Sequence, residues 1–190
     1  MWKKIALAVA VLLVALAVVI ATRPATFRVS RSTVVAAPAE ALYARIADFH
    51  AWQAWSPWEG LDPSMKREFA GPASGTGAEY GWSGNDEVGK GRMTVTEARR
   101  GERVAIRLEF IEPFASVNET EFALAPAAGG TRVEWTMTGH NDFVGKAFGL
   151  FVDVEKMVGA DFEKGLAKMK ALAEASVAPP AAVPAAATAR

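Results

Sequence analysis

Two histidines, His50 and His140, stand ninety positions apart, and the chain contains no cysteine. Thiolate metal sites, disulfides and a cysteine nucleophile are thereby excluded, and no metal or cofactor is expected. His140 precedes Asn141 and Asp142, a trio able in principle to move protons, but it follows Gly139 at a strand end beside no nucleophile it could activate. A surface turn is the better reading, and the same holds for His50. The glycine-rich GNDEVGKG, residues 84–91, lacks the following helix and the Lys-Ser/Thr ending of a phosphate loop, and reads as a hairpin turn. The most concentrated feature left is aromatic. WQAWSPW, residues 52–58, holds three of the six tryptophans, and so much ring surface belongs either in a core or on the wall of a cavity for an apolar molecule.

The rest of the chain must supply elements to hold those rings. Of 190 residues, 51% are hydrophobic, enough for one sizeable core and not for two domains. Twenty-one basic residues balance twenty-one acidic ones, with no basic run, so nucleic acid is excluded as a partner on electrostatic grounds. From Ile5 to Ala21 the chain is uncharged and apolar, preceded by Lys3 and Lys4 and followed by Arg23. As a helix this run spans about 26 Å, close to a hydrocarbon core of roughly 30 Å. A cleaved signal peptide is the rival reading. The run exceeds the usual h-region of about 7 to 15 residues, which favours an uncleaved anchor over residues 1–25. Lys3 and Lys4 argue for a cytoplasmic N-terminus and Arg23, Arg28 and Arg31 against it; the domain is placed on the periplasmic side of a bacterial inner membrane. At the other end, residues 176–190 are almost entirely Ala and Pro and read as a disordered tail. The folded unit is residues 26–175.

Within it the hydrophobic period changes in a definite order. TFRVSRSTVVAA alternates as a strand, Pro38 opens a short helix through AEALYARIADF, and the tryptophan stretch follows. Six further strand-like segments come next, from MKREFAG to TRVEWTMTG, separated by glycine and proline turns. Seven strands in series imply an antiparallel sheet. Val104, Ile106, Leu108 and Phe110 share one face, as do Val133, Trp135 and Met137. What covers that face must be helical. From Phe148 onward, Phe151, Val154, Val158, Phe162, Gly165, Met169 and Leu172 step by three or four, as one stripe on a helix of about 25 residues. Gly159 and Gly165 inside that helix indicate close contact with the sheet or room left for a ligand.

This order resembles the α+β helix-grip fold, also called START-like: an antiparallel sheet of about seven strands around a long C-terminal helix. APAEALYARIADF, WQAWSPW, GPASGTGAEYGWSGN with VGKGRM, NETEF, GGTRVEWTMTG and DFEKGLAKMK resemble the SRPBCC superfamily of the polyketide cyclase/dehydrase and lipid transport type. The resemblance covers about residues 27–174 and implies a cavity between sheet and helix. Strand alternation then nominates Tyr80, Trp82, Met93, Phe110, Phe122, Trp135 and Met137 as its lining, with Asn118 placed to orient a ligand's polar end. Trp52 and Trp55, three apart, are expected to plug one end, and Pro57 to turn Trp58 elsewhere. The function expected is that of a membrane-anchored carrier for a lipid, quinone or polyketide-like molecule. The alternatives are a cyclase- or dehydrase-like enzyme using Asn118, Glu79 or His140, and a protein-binding adaptor whose interior is filled.

Overall fold

The computed structural model describes residues 1–177. The N-terminal run forms one helix, α1 (Trp2–Ala21), long and apolar enough to cross a membrane, with only Ile20 buried. Most of the tail expected over 176–190 lies outside the described residues; Ser176 and Val177 end the last helix.

Strand β1 (Thr26–Val35) leads into α2 (Ala39–Ala47) and a 3-10 segment, Phe49–Ala54, which the Asp48 side chain opens by accepting from the His50 N–H. Strands β2 (Lys66–Ala70), β3 (Glu79–Ser83), β4 (Lys90–Arg99), β5 (Arg103–Glu112), β6 (Ser116–Ala127) and β7 (Gly130–His140) follow. They form one antiparallel sheet in the order β1-β7-β6-β5-β4-β3-β2, so the chain's first strand closes one edge against its last. Each hairpin joins neighbours, and among the described residues the one long crossing between strands is from β1 to β2, through α2 and the tryptophan stretch. That crossing carries the aromatic rings over one face of the sheet.

The same face is covered by α4 (Val154–Val177), whose buried stripe comprises Gly159, Phe162, Gly165, Leu166, Met169 and Ala173. Both helix glycines mark close approach. A Cβ on Gly159 would collide with the Arg31 guanidinium of β1, and one on Gly165 would come within 2.9 Å of the Trp135 ring and 3.1 Å of Pro57. Arg31 is in turn held to α4 through Glu155 and Glu163, at 2.6 and 2.7 Å. The helix is thus laid directly on β1 and β7, and the two glycines leave no space of their own for a ligand.

The long helix differs from expectation at its start. Phe148 closes a separate short helix, α3 (Phe143–Phe148), and Gly149 caps it. Asp153 then begins α4, its carboxylate accepting from the Lys156 N–H at 3.0 Å. That N-cap accepts from one of the free N–H groups at a new helix start, so the apolar spacing across the junction is not one stripe. Phe151 lies in the connector and is 87% exposed.

Candidate functional site

The covered face is full at one end and hollow at the other. At the full end Leu42 and Ile46 of α2 are buried in one hydrophobic cluster with Val35, Val104 and Ile106 of the sheet. Trp52 and Trp55 lie together, ring centroids 4.7 Å apart; Trp55 is enclosed as a plug, whereas Trp52 also borders the cavity. Their indole N–H groups donate to the carbonyls of Ile46 and Arg45, at 2.9 and 3.3 Å. Both rings are therefore fixed by the C-terminal turn of α2, whose last carbonyls have no partners within the helix.

Toward β2 and β3 the sheet and α4 diverge around a cavity of about 270 Å³. The sheet contributes Tyr80, Trp82, Met93, Phe110, Trp135 and Met137 to its wall. The loop from Ser56 to Met65 supplies Trp58, Glu59 and Met65, and α4 supplies Met157, Val158 and Phe162. Six of the eight residues nominated from alternation meet here. Phe122 and Asn118 are not among the lining residues. Phe122 is fully buried at the full end, 4.7 Å from Trp135 and in edge contact with Trp52 and Trp55. Asn118 is buried near the end of the sheet by α3, where its amide oxygen and the Phe27 ring both crowd over Gly139. Both face the covered side as expected, but alternation gives only the face and not the distance along it.

The wall rings are held rigidly. Trp82 donates from its indole nitrogen to the Val88 carbonyl at 2.9 Å, and its ring lies flat over Gly91, where any Cβ would overlap it. Tyr80 stacks between Phe69 and Trp82, at 5.2 and 6.0 Å. Trp135 lies face to face with Phe162 of α4 at 4.0 Å and donates to the Thr120 hydroxyl at 2.9 Å. That hydroxyl donates onward to the Thr136 carbonyl, so it has a partner on each side.

Two carboxylates border this apolar wall: Asp161 of α4, which accepts from the Lys164 ammonium at 2.9 Å, and Glu59, the more deeply buried of the two. The Glu59 carboxylate, its side chain only 8% exposed, accepts from the Tyr80 hydroxyl at 2.6 Å and from Arg67 Nε at 2.7 Å. Arg67 also donates to the Met65 carbonyl at 3.0 Å, which fixes the loop to β2. Burial, and then the neighbouring carboxylate, push the Tyr80 phenol well above its ordinary range, while Glu59 raises the Arg67 guanidinium. Tyr80 is consequently a neutral hydrogen-bond donor at physiological pH. Glu59 and Arg67 were not nominated from sequence. Glu59 lies in a loop with no period to read, and Arg67 lies on a short strand whose charges look solvent-facing.

Asp62, in the same loop, accepts from the Ser64 hydroxyl and N–H and from the Asn85 N–H, which lowers its pKa below the usual aspartate range. It ties the cavity loop to the β3–β4 hairpin. Asn118, Glu79 and His140, nominated for the enzymatic alternative, are all absent from the cavity lining, and Glu79 begins β3. His140 is exposed at the end of β7. His50 is bonded to Asp48 and stacked on Phe69 at 4.0 Å. Among the described residues no group of His, Asp and Glu is arranged to hold a metal ion.

A seven-stranded antiparallel sheet gripping a long C-terminal helix over an apolar cavity defines a helix-grip protein. The chain belongs to the polyketide cyclase/dehydrase and lipid transport family, whose pattern matches residues 26–174. Membership in that family points to apolar ligands. No curated protein matches the chain. Solved structures share the fold at low identity. Protein CV1439 from Chromobacterium violaceum is 21% identical, with a TM-score of 0.55 over 80% of this chain and 99% of that one. The Aha1 dimer from Colwellia psychrerythraea is 15% identical, with a TM-score of 0.57 over 80% and 99%. The di-domain aromatase/cyclase StfQ from the steffimycin biosynthetic pathway is 11% identical, with a TM-score of 0.57 over 80% of this chain and 51% of that one.

Proposed function

We propose that this chain is a membrane-anchored carrier for an apolar small molecule, with residues 1–25 as anchor and residues 26–175 as the binding domain on the periplasmic side of a bacterial inner membrane. The observation that carries the reading is the cavity itself: about 270 Å³, walled by aromatic and methionine side chains held in place by their own hydrogen bonds and stacking. Ligand sites usually measure roughly 300–1,000 Å³, so this one is at the small end. It suits a single acyl chain, or a ring system such as a quinone or polyketide-like nucleus, and is too small for an entire two-chain phospholipid. Tyr80 and Glu59 supply one polar corner to orient such a ligand.

The competing enzymatic reading needs an acid or base free to meet substrate. Both oxygens of Glu59 already accept hydrogen bonds, Tyr80 is neutral and donates to Glu59, and Asp161 is paired with Lys164, which favours binding over turnover. The deciding experiment is mass spectrometry of small molecules extracted from the protein purified from its native membrane. A reproducible apolar compound that displaces a saturably bound fluorescent fatty acid is expected. Absence of any saturable site would favour a protein-binding adaptor. In fractionation, the intact chain should remain with membranes through salt and alkali washes, whereas a mature protein beginning near Thr22 would refute the anchor.

A further inference from the structure

The residues least explained by the carrier reading are the apolar ones around α3. Phe143, Val144, Phe148 and Phe151 are all more than half exposed, within nine positions, and Met157 on the first turns of α4 is half exposed. Soluble surfaces rarely leave so many large apolar side chains together without a partner.

Their position names that partner. Helix α3 packs against α1, Ile20 in the last turn of α1 is buried, and Lys146 of α3 donates to the Ala21 carbonyl at 3.3 Å. Ile20 and Ala21 are the final residues of the apolar helix, within about 3 Å of its end at 1.5 Å rise per residue. If α1 spans the bilayer, α3 must sit at the depth where hydrocarbon gives way to headgroups. Phenylalanine is favoured at that depth, and Lys146 beside it can reach lipid phosphate.

We infer that the segment from Phe143 to Met157 is a membrane-contact surface that enters the interfacial layer of the bilayer holding α1. It also connects the cavity to that layer, because Met157 belongs both to the exposed patch and to the cavity wall. An apolar molecule could then pass between bilayer and cavity alongside Met157 without crossing bulk water. This inference rests on the anchor reading, and its test separates the two.

The chain's lack of cysteine permits single-site labelling of the full-length protein. Phe151→Cys, Val11→Cys in α1 and Ala128→Cys in the β6–β7 turn would each carry an environment-sensitive fluorophore. The proteins would be reconstituted in phosphatidylcholine/phosphatidylglycerol vesicles containing both lipids spin-labelled near the headgroup, which report on Phe151, and lipids spin-labelled near the acyl-chain end, which report on Val11 at the middle of α1. Ala128 is the distant control, since β1 carries the sheet about 30 Å from Thr26 to the turn opposite Val35, at roughly 3.3 Å per residue. The expected result is blue-shifted, strongly quenched emission at Phe151 and at Val11, with Ala128 unaffected. Quenching at Val11 with Phe151 as bright as Ala128 would overturn the inference and leave the anchor standing. Absence of quenching at Val11 would remove the anchor and the inference with it. Val144→Cys repeats the measurement from the other side of α3, so a local effect of the Phe151 substitution cannot decide the outcome.

Discussion

The two ends of the covered face hold similar rings in different ways. At the full end Trp55 is buried among the rings of Trp52, Phe122 and Trp135, its N–H satisfied by the Arg45 carbonyl of α2, and Trp52, bonded to the Ile46 carbonyl, marks where the packed end meets the cavity. At the hollow end Tyr80 and Trp82 face open space, and a buried ion pair stands beside them. Tryptophan content alone does not separate a plug from a wall. The difference lies in what stands opposite each ring: α2 and the sheet at one end, a gap at the other.

Substitution should break this contrast most visibly at the full end. Trp55→Ala, or Phe162→Ala on α4 where its buried ring stacks on Trp135 at the boundary of the cavity, is expected to cost about 3–5 kcal/mol in denaturant unfolding, as removal of a buried ring does. A loss under about 1 kcal/mol at either site would mean that the ring is not packed as described. Glu59→Gln should cost less, about 1–3 kcal/mol, because Arg67 keeps the Met65 carbonyl and partial solvent access. It should also alter the affinity for a fluorescent fatty acid, which a purely structural change at the full end would not do without unfolding. Trp82→Leu should reverse the pattern, with a stability change under about 1.5 kcal/mol and weakened probe binding, since its ring borders space already empty. The smallest effect expected is one of pH. Because Asp62 has a lowered pKa, its contribution is complete above the ordinary aspartate range and is lost as pH falls through the folded value. Acid unfolding followed by fluorescence should therefore be less steep in Asp62→Asn.

Much of this architecture was legible because alternation is a strict period. It correctly set Tyr80, Trp82, Met93, Phe110, Trp135 and Met137 on one face, and these six border the cavity. It could not separate them from Phe122, which faces the same way but lies where the 3-10 segment presses on the sheet. Depth along a strand depends on which element lies above it, and that is a property of tertiary packing. Glu59 and Met65 were invisible for a different reason: the path of the 55–65 loop follows from the Asp62 and Arg67 hydrogen bonds rather than from any repeat. The division of the last helix did have a signal. Gly149 followed by Asp153 is a stop and a start, which the continuous three- and four-residue spacing of apolar positions concealed.

An open sheet has two edges, and each could template pairing with a strand from another molecule. Here neither invites it. At β1 the Lys170 ammonium of α4 donates to the Val34 carbonyl at 2.8 Å, and Glu174 accepts from the Ala36 N–H at 2.8 Å, so the end of that edge is already occupied. The opposite edge, β2, has only five residues, and three of them, Lys66, Arg67 and Glu68, are charged. Neighbouring copies can thus crowd together without their sheets joining into aggregates, and solubility is protected by the same helix that roofs the cavity.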